Sequence, residues 1–308
     1  MRLIESIWTK ARSKIRTIVL PEGDEPRTVA AAEILRKEGL AEPILIGRTF
    51  SWEKKSEYAA VLHELRKAKG LTEEKAARLV ADPMYYGMMM VKMGDADGLV
   101  SGAIHSTGDM LRPALQIIKT KPGMKLVSSS LLMECPNQKL GEDGLLVFAD
   151  CVVNPCPNAE ELAHIAVAAA DTAKRLCGIT EPRVAMLSFS TKGSASHDLV
   201  TKVQLATEIA HGLSPDLLLD GELQLDAALV PEVAALKAKE SLVAGRANVL
   251  IFPDLQAGNI GYKIAQRLGR AEGFAVLQGL AAPCNDLSRG CSIDDLVNTV
   301  AMTAVQAG

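Results

Sequence analysis

Aromatic residues are scarce in this chain of 308 residues: five Phe, four Tyr and two Trp, 4% in all. With 48% hydrophobic and 23% charged residues, that is the profile of an Ala/Val/Leu-rich globular enzyme and not of a disordered chain. Long apolar runs are also missing. No stretch reaches the ~20 residues needed to span a bilayer, and the opening Met1-Arg2-Leu3-Ile4-Glu5-Ser6-Ile7-Trp8 lacks the apolar core and cleavage site of a signal peptide. A cytoplasmic protein is expected, with no membrane partner. Neither sign of charge dominates: 34 Lys and Arg stand against 37 Asp and Glu, for a net charge of -3. No global field recruits nucleic acid or an anionic surface, so any anion site must be local. There is no Cys-x-x-Cys pair and no closely spaced pair among the 5 histidines, which argues against a structural zinc site or any tightly bound metal. The six cysteines, Cys135, Cys151, Cys156, Cys177, Cys284 and Cys291, are scattered and read as free thiols.

What is present is alternation. Short apolar runs exchange with helical patterns, the signature of βαβ units and a mostly parallel sheet, so the fold class is α/β. Strands are expected at 17–20, 43–47, 98–100, 125–131, 145–148, 183–189, 216–219, 248–252 and 275–278. Helices are expected at 27–38, ending at Gly39, and at 71–80, 159–176, 197–211, 259–272 and 292–305. The length favours two domains. The break at Lys121-Pro122-Gly123 and the chain near Gly279 are the expected crossings between them.

Three segments carry candidate chemistry. Strand Val184-Ala185-Met186-Leu187-Ser188-Phe189 runs into Ser190-Thr191-Lys192-Gly193-Ser194-Ala195-Ser196 and then a helix, an arrangement expected to aim unpaired amides and a dipole end at a phosphate. The spacing is not that of a Walker A loop, and a helix cap of small polar residues explains it about as well. The run from Asp97 through Ser101-Gly102-Ala103-Ile104-His105-Ser106-Thr107 to Arg112-Pro113 is a strand with a Gly/Ser/Thr-rich loop at its carboxyl end, where ligands bind in parallel sheets. Pro113 is expected to hold Arg112 out of the helical region, free to reach an oxyanion; a surface salt bridge is the plainer use of a lone Arg. His105 reads as a hydrogen-bonded structural residue more readily than as a base. Third, Asn285-Asp286-Leu287-Ser288-Arg289-Gly290-Cys291-Ser292-Ile293-Asp294-Asp295 sets a hydroxyl beside a guanidinium, ahead of a helix capped by Ser292. Asp295 is either dipole compensation in the first turn or a proton acceptor beside an anion-binding Arg, and local reasoning leaves both open.

Six blocks in order resemble the phosphate acetyl/butyryltransferase (phosphotransacetylase) family. They are Ser101-Gly102-Ala103 with Leu111-Arg112-Pro113, Phe148-Ala149-Asp150-Cys151, Ser190-Thr191-Lys192-Gly193-Ser194-Ala195, Asp220-Gly221-Glu222-Leu223-Gln224, Phe252-Pro253-Asp254-Leu255-Gln256-Ala257-Gly258-Asn259, and Asn285-Asp286-Leu287-Ser288-Arg289-Gly290-Cys291. The resemblance implies two α/β/α domains of isocitrate/isopropylmalate dehydrogenase type, 1–122 plus 278–308 and an inserted 123–277, with the active cleft between them, and a homodimer. It implies reversible transfer of an acetyl group between acetyl phosphate and coenzyme A, with coenzyme A as a substrate, inorganic phosphate as the other product and no tightly bound cofactor. By position, Asp295 is the base that takes the thiol proton, Ser288 stabilises the transition state, and Arg289 and Arg112 bind anionic groups. Arg66 holds a phosphate of coenzyme A, although its basic segment alone reads as a solvated helix end. Ser106, Thr107, Thr191, Lys192, Gly193 and Ser194 complete the expected substrate contacts. A thiol near ~8.5 and a carboxylate near ~4 are mismatched, so either Asp295 is raised or the thiol is lowered by local positive charge.

The chain departs from the family pattern between Ile46-Gly47-Arg48-Thr49-Phe50 and Glu53-Lys54-Lys55-Ser56-Glu57-Tyr58, where a loop, a helix and an edge strand of the family pattern are either lost from the protein or belong to a disordered stretch that the sequence omits. Three rival readings are a phosphate butyryltransferase, differing in acyl-pocket volume, an isocitrate-type dehydrogenase, for which no Gly-x-Gly-x-x-Gly fingerprint is found, and a scaffold module that has lost catalysis, which would break the intact Ser288-Arg289-Asp295 set. Cys291 is not the expected nucleophile, since direct transfer competes with an acyl-cysteine route.

Overall fold

The computed structural model describes residues 2–308 and divides into two units, residues 3–122 with 280–308 and residues 123–279. The first runs α1 (Leu3–Ser13), β1 (Thr17–Leu20), α2 (Pro26–Glu38), β2 (Glu42–Leu45), α3 (Lys55–Arg66), α4 (Glu73–Leu79), α5 (Pro83–Met93), β3 (Gly98–Ser101) and α6 (Thr107–Pro113). The second runs β4 (Ser128–Glu134), β5 (Leu145–Ala149), α7 (Ala159–Arg175), β6 (Arg183–Leu187), α8 (Asp198–Leu213), β7 (Leu218–Leu223), α9 (Leu225–Leu229), α10 (Pro231–Lys237), β8 (Val249–Ile251), α11 (Leu255–Arg267) and β9 (Glu272–Gln278). The chain then returns to the first unit as β10 (Cys284–Asp286) and α12 (Ile293–Gln306). No helix among the described residues is long and apolar enough to cross a membrane.

In the first unit four parallel strands lie in the order β10-β3-β1-β2. Their residues are buried nearly throughout β1 and β3, as expected of strands covered on both faces. Two helices show how local chemistry sets the boundaries. For α2, Glu25 accepts the Thr28 amide, Pro26 opens the helix, and Gly39 closes it in the left-handed region, with Thr28, Ala31, Ala32 and Leu35 turned inward. For α12, the capping box of Ser292 and Asp295 starts the helix, and an apolar face from Leu296 to Ala304 packs between α1 and α2. The second unit is a six-stranded sheet in the order β7-β6-β8-β5-β4-β9, parallel except where β4 pairs with β5 and β9. Alanine-rich α7 packs on α8, and Phe148 meets Phe252 at 5.3 Å over the other side of the core.

Several expected boundaries move. The helix expected at 259–272 lies at 255–267, because Asp254 caps it by accepting the Ala257 amide, and β9 begins at Glu272, ahead of the expected 275. The strands expected at 125–131 and 216–219 run later, at 128–134 and 218–223. The elements α1, α3, α5, α6, α9, α10 and β10 lie outside the expected ones, although α1 is amphipathic, with Leu3, Ile7 and Ala11 turned inward. In α5 the reason is burial all round: Met84, Tyr86, Gly87, Met88, Met89, Met90 and Val91 are all inside, so no polar face exists to set a period.

The expectation for Arg112 is corrected. It lies inside α6, not in an extended stretch before Pro113. The capping box of Ser106 and Asp109 starts the helix, burial of Met110, Pro113 and Ala114 holds it, and a π-helical turn (Ala114–Ile118) follows directly, with Lys119 N–H donating to Ala114 O at 2.9 Å. Burial and capping outweigh the pre-proline bias.

The connection between β2 and α3 is closed by aromatic side chains. Phe50, Trp52 and Tyr58 pack around Tyr86 with ring centroids 5.5, 4.8 and 4.8 Å away, and the Tyr86 hydroxyl accepts the Lys54 amide at 3.3 Å. In a chain so poor in aromatics, four are gathered here.

Candidate active site

Because β10, β3 and β1 are parallel neighbours, the turns that follow them, residues 287–292, 102–106 and 21–25, emerge side by side at the carboxyl edge of the sheet. This is also where the order reverses, β1 leading to β2 on one side while β3 lies on the other, the place where α/β sheets bind ligands.

Glu22, from the turn after β1, organises the loop after β3. Its buried carboxylate accepts the amides of Gly102 and Ala103 at 3.1 and 2.9 Å and those of Ile104 and His105 at 3.0 and 2.9 Å. His105 Nδ1 sits 2.8 Å from the same carboxylate, which makes His105 a structural partner. Burial works to raise the Glu22 carboxyl, but the bonds from Ile104, His105 and Ala103 outweigh it and hold it below the ordinary range. The loop thus presents Ser106 and Thr107 at the mouth of α6. Both hydroxyls have internal partners: Ser106 bonds Asp109 at 2.6 Å, and Thr107 donates to Asp286.

Asp286, at the end of β10, pairs in register with Ser101 of β3. The Asp286 Oδ1 and Ser101 Oγ atoms are buried without a hydrogen-bond partner. Gly102 is required beside them: its φ is +117°, and a Cβ there would lie 2.3 Å from Leu287 O and 2.7 Å from Asp286 Oδ1. Burial pushes the Asp286 carboxyl up to about 6, helped by the charge of Glu22 and opposed by the bond from Thr107. A raised folded pKa means the native state keeps a proton that the unfolded chain, near 3.8, has already released, so this group's contribution to stability is full below 3.8 and lost as pH rises through 6. Asp286→Asn is therefore expected to gain on wild type as pH rises from 4.5 to 7.5, by an amount on the order of 1 kcal/mol. Thermal melts of both proteins at the two pH values check this, and a constant gap between them would refute it.

The next turn holds Ser288, Arg289 and Gly290, all exposed, closed by Cys291 N–H to Ser288 O at 2.9 Å. Asp295 is exposed one turn further on, with Oδ2 accepting the Ser292 amide and hydroxyl, each at 2.8 Å. The capping role expected of a first-turn carboxylate is thus real and uses one of its two oxygens. Cys291 is buried, and burial pushes its thiol up although the charge of Arg27 pulls the other way, which is the wrong direction for a nucleophile. All six cysteines are free.

Arg66 ends α3 half-buried, and Arg112 is exposed on α6. Burial raises the Tyr85 hydroxyl, helped by the charge of Asp82, while the positive charges of Arg112 and Arg66 act to lower it. The Tyr85 hydroxyl donates to Gln116 Oε1 at 3.0 Å. Sequence reasoning missed Tyr85, Glu22, Arg27 and Asp286. The one available signal was the density of charge in Pro21-Glu22-Gly23-Asp24-Glu25-Pro26-Arg27, directly at the end of a strand.

In the second unit the loop after β6 is not a set of unpaired amides. Lys192 N–H goes to Glu222 O at 3.2 Å, Gly193 N–H to the Glu222 carboxylate at 2.7 Å, Thr191 N–H to Ser194 Oγ at 2.9 Å, and Ser194 N–H to Thr191 O at 3.1 Å. Lys192 pairs with Asp220 and bonds Gly221 O, while the Thr191 hydroxyl exchanges bonds with Gln224. The helix that follows is capped separately, by His197. Buried Glu222 is held below its ordinary range by these bonds against the opposing effect of burial. Asp150 plays the same part after β5, accepting the amides of Val152, Val153 and Asn154 at 2.9, 3.1 and 2.9 Å. The carboxylates of two sequence blocks thus fold loops.

A family model described as "Phosphate acetyl/butaryl transferase" matches residues 2–304. The chain is 60% identical, over an alignment of 328 positions that covers the whole of both proteins, to a phosphate acetyltransferase of Thermoanaerobacterium thermosaccharolyticum. It is 53% identical over 330 residues, all of this chain and 99% of the relative, to one from Clostridium acetobutylicum. Among solved structures, a phosphotransacetylase from Streptococcus pyogenes superposes with a TM-score of 0.93 at 49% identity, over 99% of this chain and 98% of that one. The fold and these likenesses define an α/β acyltransferase. More narrowly, the chain belongs to the phosphate acetyl/butyryl transferase family.

Proposed function

We propose that this protein reversibly transfers an acetyl group between acetyl phosphate and coenzyme A. The observation that carries the proposal is the turn between β10 and α12, which sets the hydroxyl of Ser288 and the guanidinium of Arg289 just ahead of the carboxylate of Asp295 in the first turn of α12, at the ligand-binding edge of the sheet, in a chain of this family. Asp295 uses Oδ2 in its cap and takes the thiol proton on Oδ1. With Asp295 exposed, the match to the thiol is assigned to Arg289, whose charge favours the thiolate. The thiolate attacks the acetyl carbonyl, the Ser288 hydroxyl donates to the oxyanion, and the C–O bond to phosphate breaks, so that phosphate leaves with the bonding pair. Arg289 and Arg112 hold the phosphoryl group bidentately, as lysine would not. Arg66, at the end of α3, is assigned a phosphate of coenzyme A by the family pattern. Ser106, Thr107, Thr191, Lys192, Gly193 and Ser194 are assigned to substrate contact by the family pattern alone.

Coenzyme A enters as a substrate, with no other cofactor, and the enzyme is assigned to the cytoplasm as a homodimer on the same pattern. Acetyl is preferred over butyryl because both full-length relatives are phosphate acetyltransferases. Thioester absorbance, followed with acetyl phosphate and with butyryl phosphate, tests the reading. Acetyl is expected to be favoured by roughly 10-fold or more in kcat/KM, the scale that one or two methylenes supply. An enzyme inert toward acetyl phosphate, or faster with butyryl phosphate, overturns it.

A further inference from the structure

We propose that Arg27 is a positioning residue for this reaction, holding the turn after β10 and the loop after β3 in mutual register through their backbone carbonyls. The proposal rests on the acetyl-transfer reading.

Arg27 stands in the first turn of α2. Its Nη1 donates to Arg289 O and to Cys291 O, each at 2.9 Å, and its Nη2 donates to Ala103 O at 2.9 Å. Its Nε donates to Glu25 Oε1 at 2.6 Å, and Glu25 in turn accepts the Thr28 amide at 2.9 Å, which ties the guanidinium to the start of its own helix. Four of the five guanidinium donors are thus engaged with the protein, so this arginine braces two loops and is not a hook for an anion.

What the brace holds is the turn assigned to the chemistry. The carbonyls of Arg289 and Cys291 flank Gly290, and the turn's own bonds are the Cys291 amide to Ser288 O at 2.9 Å and a long contact of the Gly290 amide with Ser288 Oγ at 3.4 Å. The Ser288 and Arg289 side chains are exposed, so no packing fixes them, and their place depends on where the backbone is held. The same guanidinium reaches Ala103, whose amide is bound by Glu22. Residues 21–27 therefore bind the loop after β3 from both its amide and its carbonyl sides, and bind the turn after β10 through Arg27. A lysine cannot replace the arginine, because three donors on one nitrogen do not span carbonyls that lie around two.

The test is steady-state kinetics on wild type, Arg27→Lys, Arg27→Gln, Arg289→Gln and the double variant Arg27→Lys/Arg289→Gln, each well below its own melting midpoint. Loss of register of about 1 Å predicts a kcat lowered by roughly 10–100-fold in both Arg27 variants. The KM for coenzyme A should stay within about threefold, since the interaction lost acts in the transition state. In the double variant the loss should fall well short of the product of the single losses, because the group being positioned is already gone. A purely structural arginine would lower the melting midpoint, leave kcat within twofold and give multiplicative losses; any of those kinetic results overturns the proposal. An inactive wild type sinks the acetyl-transfer reading instead, whereas an active wild type with unaffected Arg27 variants sinks only the role of Arg27.

Discussion

Asp295→Asn is expected to lower kcat for acetyl-coenzyme A formation by roughly 10²–10⁴-fold, the range that a positioned proton acceptor supplies. The asparagine side chain still offers an oxygen to the Ser292 amide and hydroxyl, now at 2.8 Å from the carboxylate, so the start of α12 should survive the substitution. Ser292→Ala separates the two roles. It removes the hydroxyl that bonds Asp295 but keeps the carboxylate, and it should cost about 1 kcal/mol of stability with little change in rate. If Ser292→Ala and Asp295→Asn lose activity equally, the cap is what matters and the base assignment fails. A fully active Asp295→Asn would sink the base assignment outright.

Arg289→Gln is expected to lower kcat/KM by roughly 10²–10³-fold, the usual cost of removing one group that stabilises charge developing in the transition state. Arg289 is exposed, so little stability should be lost with it. Arg289→Lys should recover only part of the rate, because an ammonium carries the charge without the two-pronged geometry. Initial rates with acetyl phosphate and coenzyme A varied in turn decide the matter: a loss confined to the KM for coenzyme A would move Arg289 from the reacting phosphate to the cofactor-sized substrate's own phosphates, and a rate within twofold of wild type would remove it from the site.

Much of this was legible along the chain, for local reasons. The stretch from Thr17 to Gly39 carries a buried strand, a proline at the helix start and a glycine at its end, each acting within a few residues. Ser292 and Asp295 announce α12 in the same way. The α/β class follows from many such signals summed. Where burial replaced local preference, reading failed: α5 has no polar face, and Arg112 is helical because Met110 and Ala114 are buried around it. At residues 190–194 the local pattern does not show that Glu222, 30 and 29 residues downstream, takes the amides of Lys192 and Gly193.

Ser288, Arg289 and Asp295 were visible as a set because they share one turn and the first turn of one helix, and family likeness could then attach roles to them. Glu22, Arg27 and Asp286 were not, because their meaning lies in partners far along the chain. Glu22 acts on residues 102–105, Arg27 on 103, 289 and 291, and Asp286 on 101 and 107. By itself the sequence determined the fold class, the boundaries of elements with clear local caps and the residues offered to chemistry, since propensity, capping and hydrophobic period act over a few positions. Only the tertiary structure decided which carboxylates organise loops and which stand exposed, because desolvation and hydrogen bonding to remote amides arise only once parallel strands bring their carboxyl ends together.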